Sequence, residues 1–242
     1  MCDGGKCMRV NKKILISDYD QTFYLNDNDM EKNKIAIKEF REKGNLFVIA
    51  TGRSYFDFRN KAILYNIDYD YVIINHGATI LDKQNNILAN FPLKNEIIPY
   101  IKRDLRLDKL VKGFCCSKLE SRVDFNYKDL TKINVKYDTK EDATNIYEEI
   151  NKKYSEDINL YFVAENSFEI ISNETNKSKA IDLLLNRLNL LKENVYTIGD
   201  GYSDVEMIKN FNGYAMKESV DELKKVAKKE YASVSDLIKE II

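Results

Sequence analysis

A single histidine, His76, occurs in 242 residues, and no run of apolar residues approaches the length of a membrane span. One histidine nearly excludes His-based zinc sites, and it would make any Ser-His-Asp triad depend wholly on that residue. Spans need about 18 or more consecutive apolar residues, so no membrane-crossing helix is expected. Cysteine is scarce and unfavourably placed: Cys2 and Cys7 sit in the lead-in, while Cys115 and Cys116 are adjacent. On a strand such neighbours point to opposite faces. Neither zinc-ligand spacing nor a disulfide framework results, and a reducing cytoplasm is the expected location. The lead-in MCDGGKCMRVNKK has charge but no apolar h-region, so it does not read as a secretory signal. Charge of one sign is also missing, with 38 basic against 39 acidic residues. No global field draws nucleic acid or anionic lipid, and no partner of either kind is expected. Low-complexity linkers and internal repeats are absent too.

What is present is 44% hydrophobic residues, enough for one sizeable core and a second, smaller one. Four apolar runs have strand length: Ile14–Ser17, Leu46–Ala50, Tyr71–Asn75 and Val195–Ile198. Most of their positions are apolar rather than alternating, the pattern of strands covered on both faces of a parallel sheet. Helical patterns fall at Met30–Lys43, with Gly44 as a stop, at Ser54–Tyr65, opened by Ser-x-x-Asp, and at Lys177–Leu191. The tail reads as strand Gly213–Met216, helix Val220–Lys229, strand Tyr231–Val234 and helix Ser235–Ile242. Strand alternating with helix predicts a doubly wound α/β sheet.

The middle of the chain differs. ILDKQNNILANF reads as a hairpin turning at Gln84-Asn85-Asn86. A helix near Pro99, strands in LVKGFCCS, ESRVDF and TKINVKYD, a helix over Lys140–Tyr154 and a hairpin around Glu165-Asn166 follow. The expected division is therefore an α/β core from 1–80 and 174–242, interrupted by an α+β insert over 81–173, a length suited to a small domain.

Three core strands end in polar residues. The first runs into Asp18, the second into Thr51-Gly52-Arg53, and the one after the insert into Gly199-Asp200-Gly201. Ligands of open parallel sheets bind outside the carboxyl ends of the strands. Asp18, Asp20 and Asp200 would crowd there, with Asp204 one helical turn beyond. Like charges so close repel, and a hard cation relieves them. Oxygen ligands without His or Cys indicate Mg2+. Lys177, at the start of a helix, supplies positive charge beside backbone N–H groups suited to phosphate, with Lys179 as the competing choice.

These residues resemble the haloacid dehalogenase superfamily of phosphohydrolases, in its Cof-type branch with a large α/β cap. Asp18-Tyr19-Asp20-Gln21-Thr22 resembles D-x-D-x-T, and Thr51-Gly52-Arg53 resembles T-G-R. Lys177-Ser178-Lys179-Ala180-Ile181 resembles K-G-x-A-L. Gly199-Asp200-Gly201-Tyr202-Ser203-Asp204 begins a stretch similar to G-D-G-x-N-D-x-x-M. The 23-residue interval from Lys177 to Asp200 suits the family and favours Lys177 over Lys179. Gln21 stands where Gly is usual, Ser203 where Asn is usual, and His76 where the entrance to the cap usually has Asn. Ser203 with Glu206 reads as a capping box, and His76 as a hinge or core residue more than a substrate contact.

The resemblance implies a two-step phosphoryl transfer. Asp18 attacks phosphorus, and Asp20 protonates the leaving alcohol and then deprotonates water. It further implies Mg2+ held by Asp18, the Asp20 backbone carbonyl and Asp200, with Asp204 binding directly or through water. Thr51, the Gly52 N–H and Lys177 would hold the phosphoryl oxygens, Arg53 would hold substrate, and Thr22 belongs to the same phosphate-binding set. Tyr19 faces away, into the core. Expected substrates are small phosphorylated metabolites, sugar phosphates first. A phosphomutase of the phosphomannomutase kind and a non-hydrolytic receiver-like phosphoacceptor are the alternatives, although a receiver needs only half this length. Arg122, Lys118, Phe125 and Tyr161 are the cap residues whose chemistry suits substrate selection.

Overall fold

The computed structural model describes residues 12–107, 110–118 and 121–242. The lead-in with Cys2 and Cys7 and the side chain of Cys115 lie outside the described residues. Two compact units emerge: Met1–Ile49 with Ile181–Ile242, and Ala50–Ala180. In chain order the elements begin with β1 (Ile14–Ser17), α1 (Asp27–Glu42), β2 (Leu46–Ala50), α2 (Tyr55–Leu64), β3 (Tyr71–Ile74), β4 (Thr79–Asp82) and β5 (Ile87–Asn90). Next come α3 (Ile98–Asp104), β6 (Leu110–Lys118), β7 (Ser121–Val123), β8 (Lys132–Tyr137), α4 (Lys140–Tyr154), β9 (Ile158–Ala164) and β10 (Ser167–Ser172). The chain closes with α5 (Lys177–Leu188), β11 (Val195–Gly199), α6 (Val205–Asn210), β12 (Asn212–Met216), α7 (Asp221–Lys224), β13 (Glu230–Tyr231) and α8 (Val234–Ile241).

The first unit is a parallel sheet in the order β13-β12-β11-β1-β2. Ile14 pairs with Val195 on one side and Leu46 on the other, so β1 lies at the centre. All four of its residues are buried, as an apolar strand covered on both faces must be. The consequence for function is that β1 and β11 end together, Ser17 beside Ile198. Helix α1 starts one turn earlier than its apolar stripe suggests, because the Asn26 side chain accepts from the Asp29 N–H at 3.0 Å and caps it.

Two further expectations are corrected in the tail. The helix expected over Val220–Lys229 stops at Lys224, because the Lys228 N–H donates to Gly213 O and Lys229 O accepts from Ala215. Those bonds draw the chain alongside β12 and straighten it. The strand expected over Tyr231–Val234 shortens to Glu230–Tyr231, since Ser233 caps α8 through the Asp236 N–H at 3.2 Å.

The second unit contains the antiparallel run β3-β4-β5 and a five-stranded antiparallel sheet, β7-β6-β8-β10-β9. Helix α4 buries Ala143, Ile146 and Ile150 against a core that includes Ile133, Val135, Tyr137, Phe168 and Ile170. Each buried Ile, Val or Phe of this core stabilises the unit by roughly 1.5–3 kcal/mol as an upper bound. The Asp82 carboxylate receives the Gln84 and Asn86 N–H groups, which closes the turn of the β4–β5 hairpin. The architecture is the α/β class expected from the alternating pattern, and the insert is α+β. Among the described residues, no helix is long and apolar enough to cross a membrane.

Candidate active site

In the first unit, the ends of β1 and β11 bring three carboxylates together. Asp18, Asp200 and Asp204 each offer an oxygen within 4.8 Å of the others. Asp18 is nearly buried, and its N–H donates to Ile198 O at 3.0 Å, which ties the end of β1 to β11. The chain then turns sharply. Phe23 N–H returns to Asp18 O and Tyr24 N–H to Tyr19 O, with Gln21 at φ 59. That left-handed conformation favours glycine, which accounts for the glycine usual at this place in the resemblance. Tyr19 is fully buried and stacks on Tyr24, facing the core as expected. Thr22 Oγ1 donates to Asp200 Oδ1 at 2.7 Å, so the hydroxyl orients a carboxylate of the cluster.

Asp204 is oriented from behind. Its Oδ2 accepts the Asp200 N–H at 3.2 Å and the Gly201 N–H at 3.1 Å. Gly199 makes room: a Cβ there would lie 2.6 Å from the Asp204 carboxyl carbon. The Ser203–Glu206 capping box is a correction. A 3-10 turn over Tyr202–Asp204 precedes α6, whose cap position falls on Asp204 without a side-chain cap bond. Asp204 makes the return contact instead, its Oδ2 accepting the Gly201 N–H, while its own N–H donates to Gly201 O at 3.0 Å.

The remaining sequence-predicted residues belong to the second unit. Thr51, Gly52 and Arg53 follow β2. All three carbonyls of this loop accept from donors: Thr51 O from the His76 N–H, Arg53 O from the Asn75 N–H, and Gly52 O from Lys132 Nζ at 2.6 Å. Asn75 and His76 are consecutive left-handed residues, φ 50 and 56, held by this pairing and by Asn75 Nδ2 on Thr131 Oγ1. The His76 ring lies so close to the Gly52 Cα that any Cβ would strike it. Gly52→Ala should therefore displace the ring and the loop and cost on the order of 1–3 kcal/mol of stability, read by denaturant melts.

Lys177 and Lys179 separate clearly. Asn176 caps α5 through the Lys179 N–H at 2.8 Å, and Lys177 is 2% exposed at the first helical position. Lys179 is exposed, with its amine on Asn173 O at 2.8 Å. A lysine buried beside a helix start loses hydration and opposes the helix dipole, which is tolerable where anionic groups collect.

Two buried charges, Lys132 and Glu169, escaped the sequence reading. Lys132 Nζ also donates to Glu169 Oε1 at 2.7 Å, and His76 Nε2 meets Glu169 Oε2 at 2.6 Å. Burial lowers the His76 pKa, so the ring stays neutral and donates to the carboxylate. Burial alone would raise the Glu169 carboxyl; Lys132 and the His76 hydrogen bond overcome it and hold it down at about 2. A carboxyl depressed in the fold stabilises it fully above its ordinary value and loses that contribution as pH falls toward the folded value. Thermal scans between pH 4.5 and 2 should show Glu169→Gln flattening the acid destabilisation of the wild type. Lys132→Met alone leaves the Glu169 charge uncompensated and should cost on the order of 3–5 kcal/mol, read by denaturant melts. The available signal was a lone acid inside the apolar stretch SFEIIS.

The cap residues marked for selection sort by contact. Arg122 pairs with Asp57 and lies over the Phe56 ring, Lys118 pairs with Asp129, Phe125 is core, and Tyr161 stacks on His76 with centroids 4.7 Å apart.

The sheet and the acid cluster define an α/β protein with a candidate metal centre at the carboxyl ends of its strands. The family model of haloacid dehalogenase-like hydrolases matches residues 15–123 and 112–237, and the chain belongs to this family. By enzyme class it is a phosphatase. It is 28% identical to the 5-amino-6-(5-phospho-D-ribitylamino)uracil phosphatase of Bacillus subtilis, over 90% of this chain and 89% of that protein. A solved haloacid dehalogenase-like hydrolase from Bacteroides thetaiotaomicron superposes with a TM-score of 0.82 at 19% identity, covering 96% of this chain and 100% of that one. A solved subclass IIB sugar phosphatase gives 0.78 at 17% identity, over 96% and 100%. These two likenesses show the fold.

Proposed function

We propose that the chain is a Mg2+-dependent phosphomonoesterase of small phosphorylated metabolites, sugar phosphates first, working in the cytoplasm through an aspartyl-phosphate on Asp18. The observation that supports it most is the cluster of Asp18, Asp200 and Asp204 at the joint ends of β1 and β11. Three carboxylates with no imidazole or thiolate form a hard oxygen donor set, which fits Mg2+. Asp18, Asp200, Asp204 and the Asp20 carbonyl would hold the ion, which when bound offsets negative charge on the phosphoryl group.

The chain's own residues supply the remaining steps. Asp18 Oδ attacks phosphorus as the bond to the leaving oxygen breaks, and Asp20 gives that oxygen a proton. Asp20 then takes a proton from water, whose oxygen attacks phosphorus and frees the Asp18 carboxylate. Thr22 orients Asp200 through its hydroxyl. The Thr51 hydroxyl, the Gly52 N–H and Lys177 hold the phosphoryl oxygens, and Arg53 contacts substrate. In this reading residues 81–173 are a cap that selects the leaving alcohol and limits water.

The test is phosphate release from a panel of phosphorylated metabolites, with Mg2+ and with chelator. The panel should include hexose and pentose phosphates and the ribitylaminouracil phosphate named for the Bacillus relative. Turnover of at least one with Mg2+, without a bisphosphate activator, supports the reading. Absence of release across the panel would contradict it.

A further inference from the structure

Peptide groups in the Thr51–Arg53 loop are ordered by groups far away in the chain. Lys132 Nζ, on β8, donates to Gly52 O at 2.6 Å. The trans peptide places the Arg53 N–H on the opposite side of the same plane. That N–H donates to Thr51 Oγ1 at 3.1 Å. With an acceptor site of the hydroxyl used in this way, the hydroxyl keeps its own proton to donate elsewhere. The bonds run in one direction: ammonium to carbonyl, amide to hydroxyl. Each polarises the next, and the low dielectric of a buried site strengthens the series. Thr51 is 1% exposed and Lys132 5%.

Glu169 fixes the start of the series. It accepts from Lys132, from Asn134 Nδ2 at 3.1 Å and from His76, so its oxygens are satisfied and the ammonium is held in one position. The His76 backbone N–H, in turn, donates to Thr51 O at 3.0 Å. That bond sets the peptide on the other side of Gly52. A buried ammonium is costly, and a structural role alone would be met by a well-packed apolar pair. Here the charge ends on one carbonyl of one loop.

We infer that Lys132, held by Glu169, is a positioning residue that acts through the Gly52–Arg53 peptide to aim and polarise the Thr51 hydroxyl. This rests on the proposed phosphatase reading, in which Thr51 donates to the phosphoryl group. The Lys132 amine bonds to Gly52 O and Glu169 Oε1, which makes it a positioning group in this reading. Loss of the series should lower kcat and leave KM little changed, because the hydroxyl matters most when charge builds on the phosphoryl oxygens.

The test is a double-mutant cycle with p-nitrophenyl phosphate and Mg2+. Lys132→Met/Glu169→Gln removes both buried charges together and leaves no lone ion. It should fold and lose about tenfold to a hundredfold in kcat, less than the 10²–10³ of removing such a donor outright. KM should stay within threefold. In a Thr51→Val background the same pair should cost less than about threefold more, since the group it acts through is gone. Lys132→Arg keeps a cation there and should lose a smaller factor, which also disappears in Thr51→Val; it carries the test if the pair variant does not fold. A folded pair variant with wild-type kcat, or a loss that persists in full in Thr51→Val, overturns the inference alone. Thr51→Val equal to wild type overturns the inference and leaves the phosphatase reading standing, whereas wild-type protein without turnover of p-nitrophenyl phosphate or of any metabolite in the panel overturns the phosphatase reading and the inference with it.

Discussion

Asp18→Asn will reduce phosphate release by at least roughly 10⁴-fold, the scale on which loss of a covalent nucleophile is felt. At 1.36 kcal/mol per tenfold, that is about 5.4 kcal/mol of barrier. The amide is the same size, so packing at the end of β1 is kept, and the N–H bond from residue 18 to Ile198 O does not depend on the side chain. What changes is chemistry and charge. An amide oxygen is a poor nucleophile toward phosphorus. Removing one of three carboxylates that lie within 4.8 Å of each other also relieves repulsion. The metal-free variant should therefore melt no lower than metal-free wild type. A variant that turns over substrate at more than a hundredth of the wild-type rate would remove Asp18 from the nucleophile's role.

Chelation is expected to have the second largest effect. With the ion removed, turnover should fall below detection and return when Mg2+ is added. Stability should follow, because a ligand that binds only the folded state stabilises it by RT ln(1 + [L]/Kd), about 2.7 kcal/mol at a hundredfold excess over Kd. For a chain of this size that is on the order of 5–10 °C in Tm. The repulsion among Asp18, Asp200 and Asp204 makes the shift larger than the ion's contacts alone would give. Asp200→Asn should shrink it and should also weaken the anchor of the Thr22 hydroxyl, which donates to Asp200 at 2.7 Å. An unchanged Tm across millimolar Mg2+ and full activity in chelator would contradict the assignment of the carboxylate cluster to a cation.

The sequence and the structure agree best where the signal is local. The bounds of β1, β2 and α4 follow the apolar runs and the 3.6-residue stripe. Ser54 caps α2 through the Asp57 N–H, as Ser-x-x-Asp predicts. The meeting of Asp18 with Asp200 follows from parallel strands ending at one edge; the third carboxylate of the cluster is Asp204, where the sequence pattern put Asp20. Agreement weakens where distant residues decide. No local pattern links Lys132 to Gly52, 80 positions away, or to Glu169, 37 positions on. Both charges lie in strands whose neighbours are apolar, and only the pairing of β8 with β10 sets them side by side. Ser203 misled because a 3-10 turn intervenes before α6, so the residue that meets the helix start is Asp204. The early end of α7 has the same cause, an edge pairing to β12 that outweighs helix propensity.

The most direct test of the account is to find where the phosphoryl group goes. Wild-type protein with Mg2+ and a labelled substrate that it turns over would be quenched in acid during the steady state, digested and mapped. The account predicts label on the peptide that contains Asp18, stable in acid, released by hydroxylamine and absent from Asp18→Asn. Turnover without labelled protein, or label on a different residue, would contradict it.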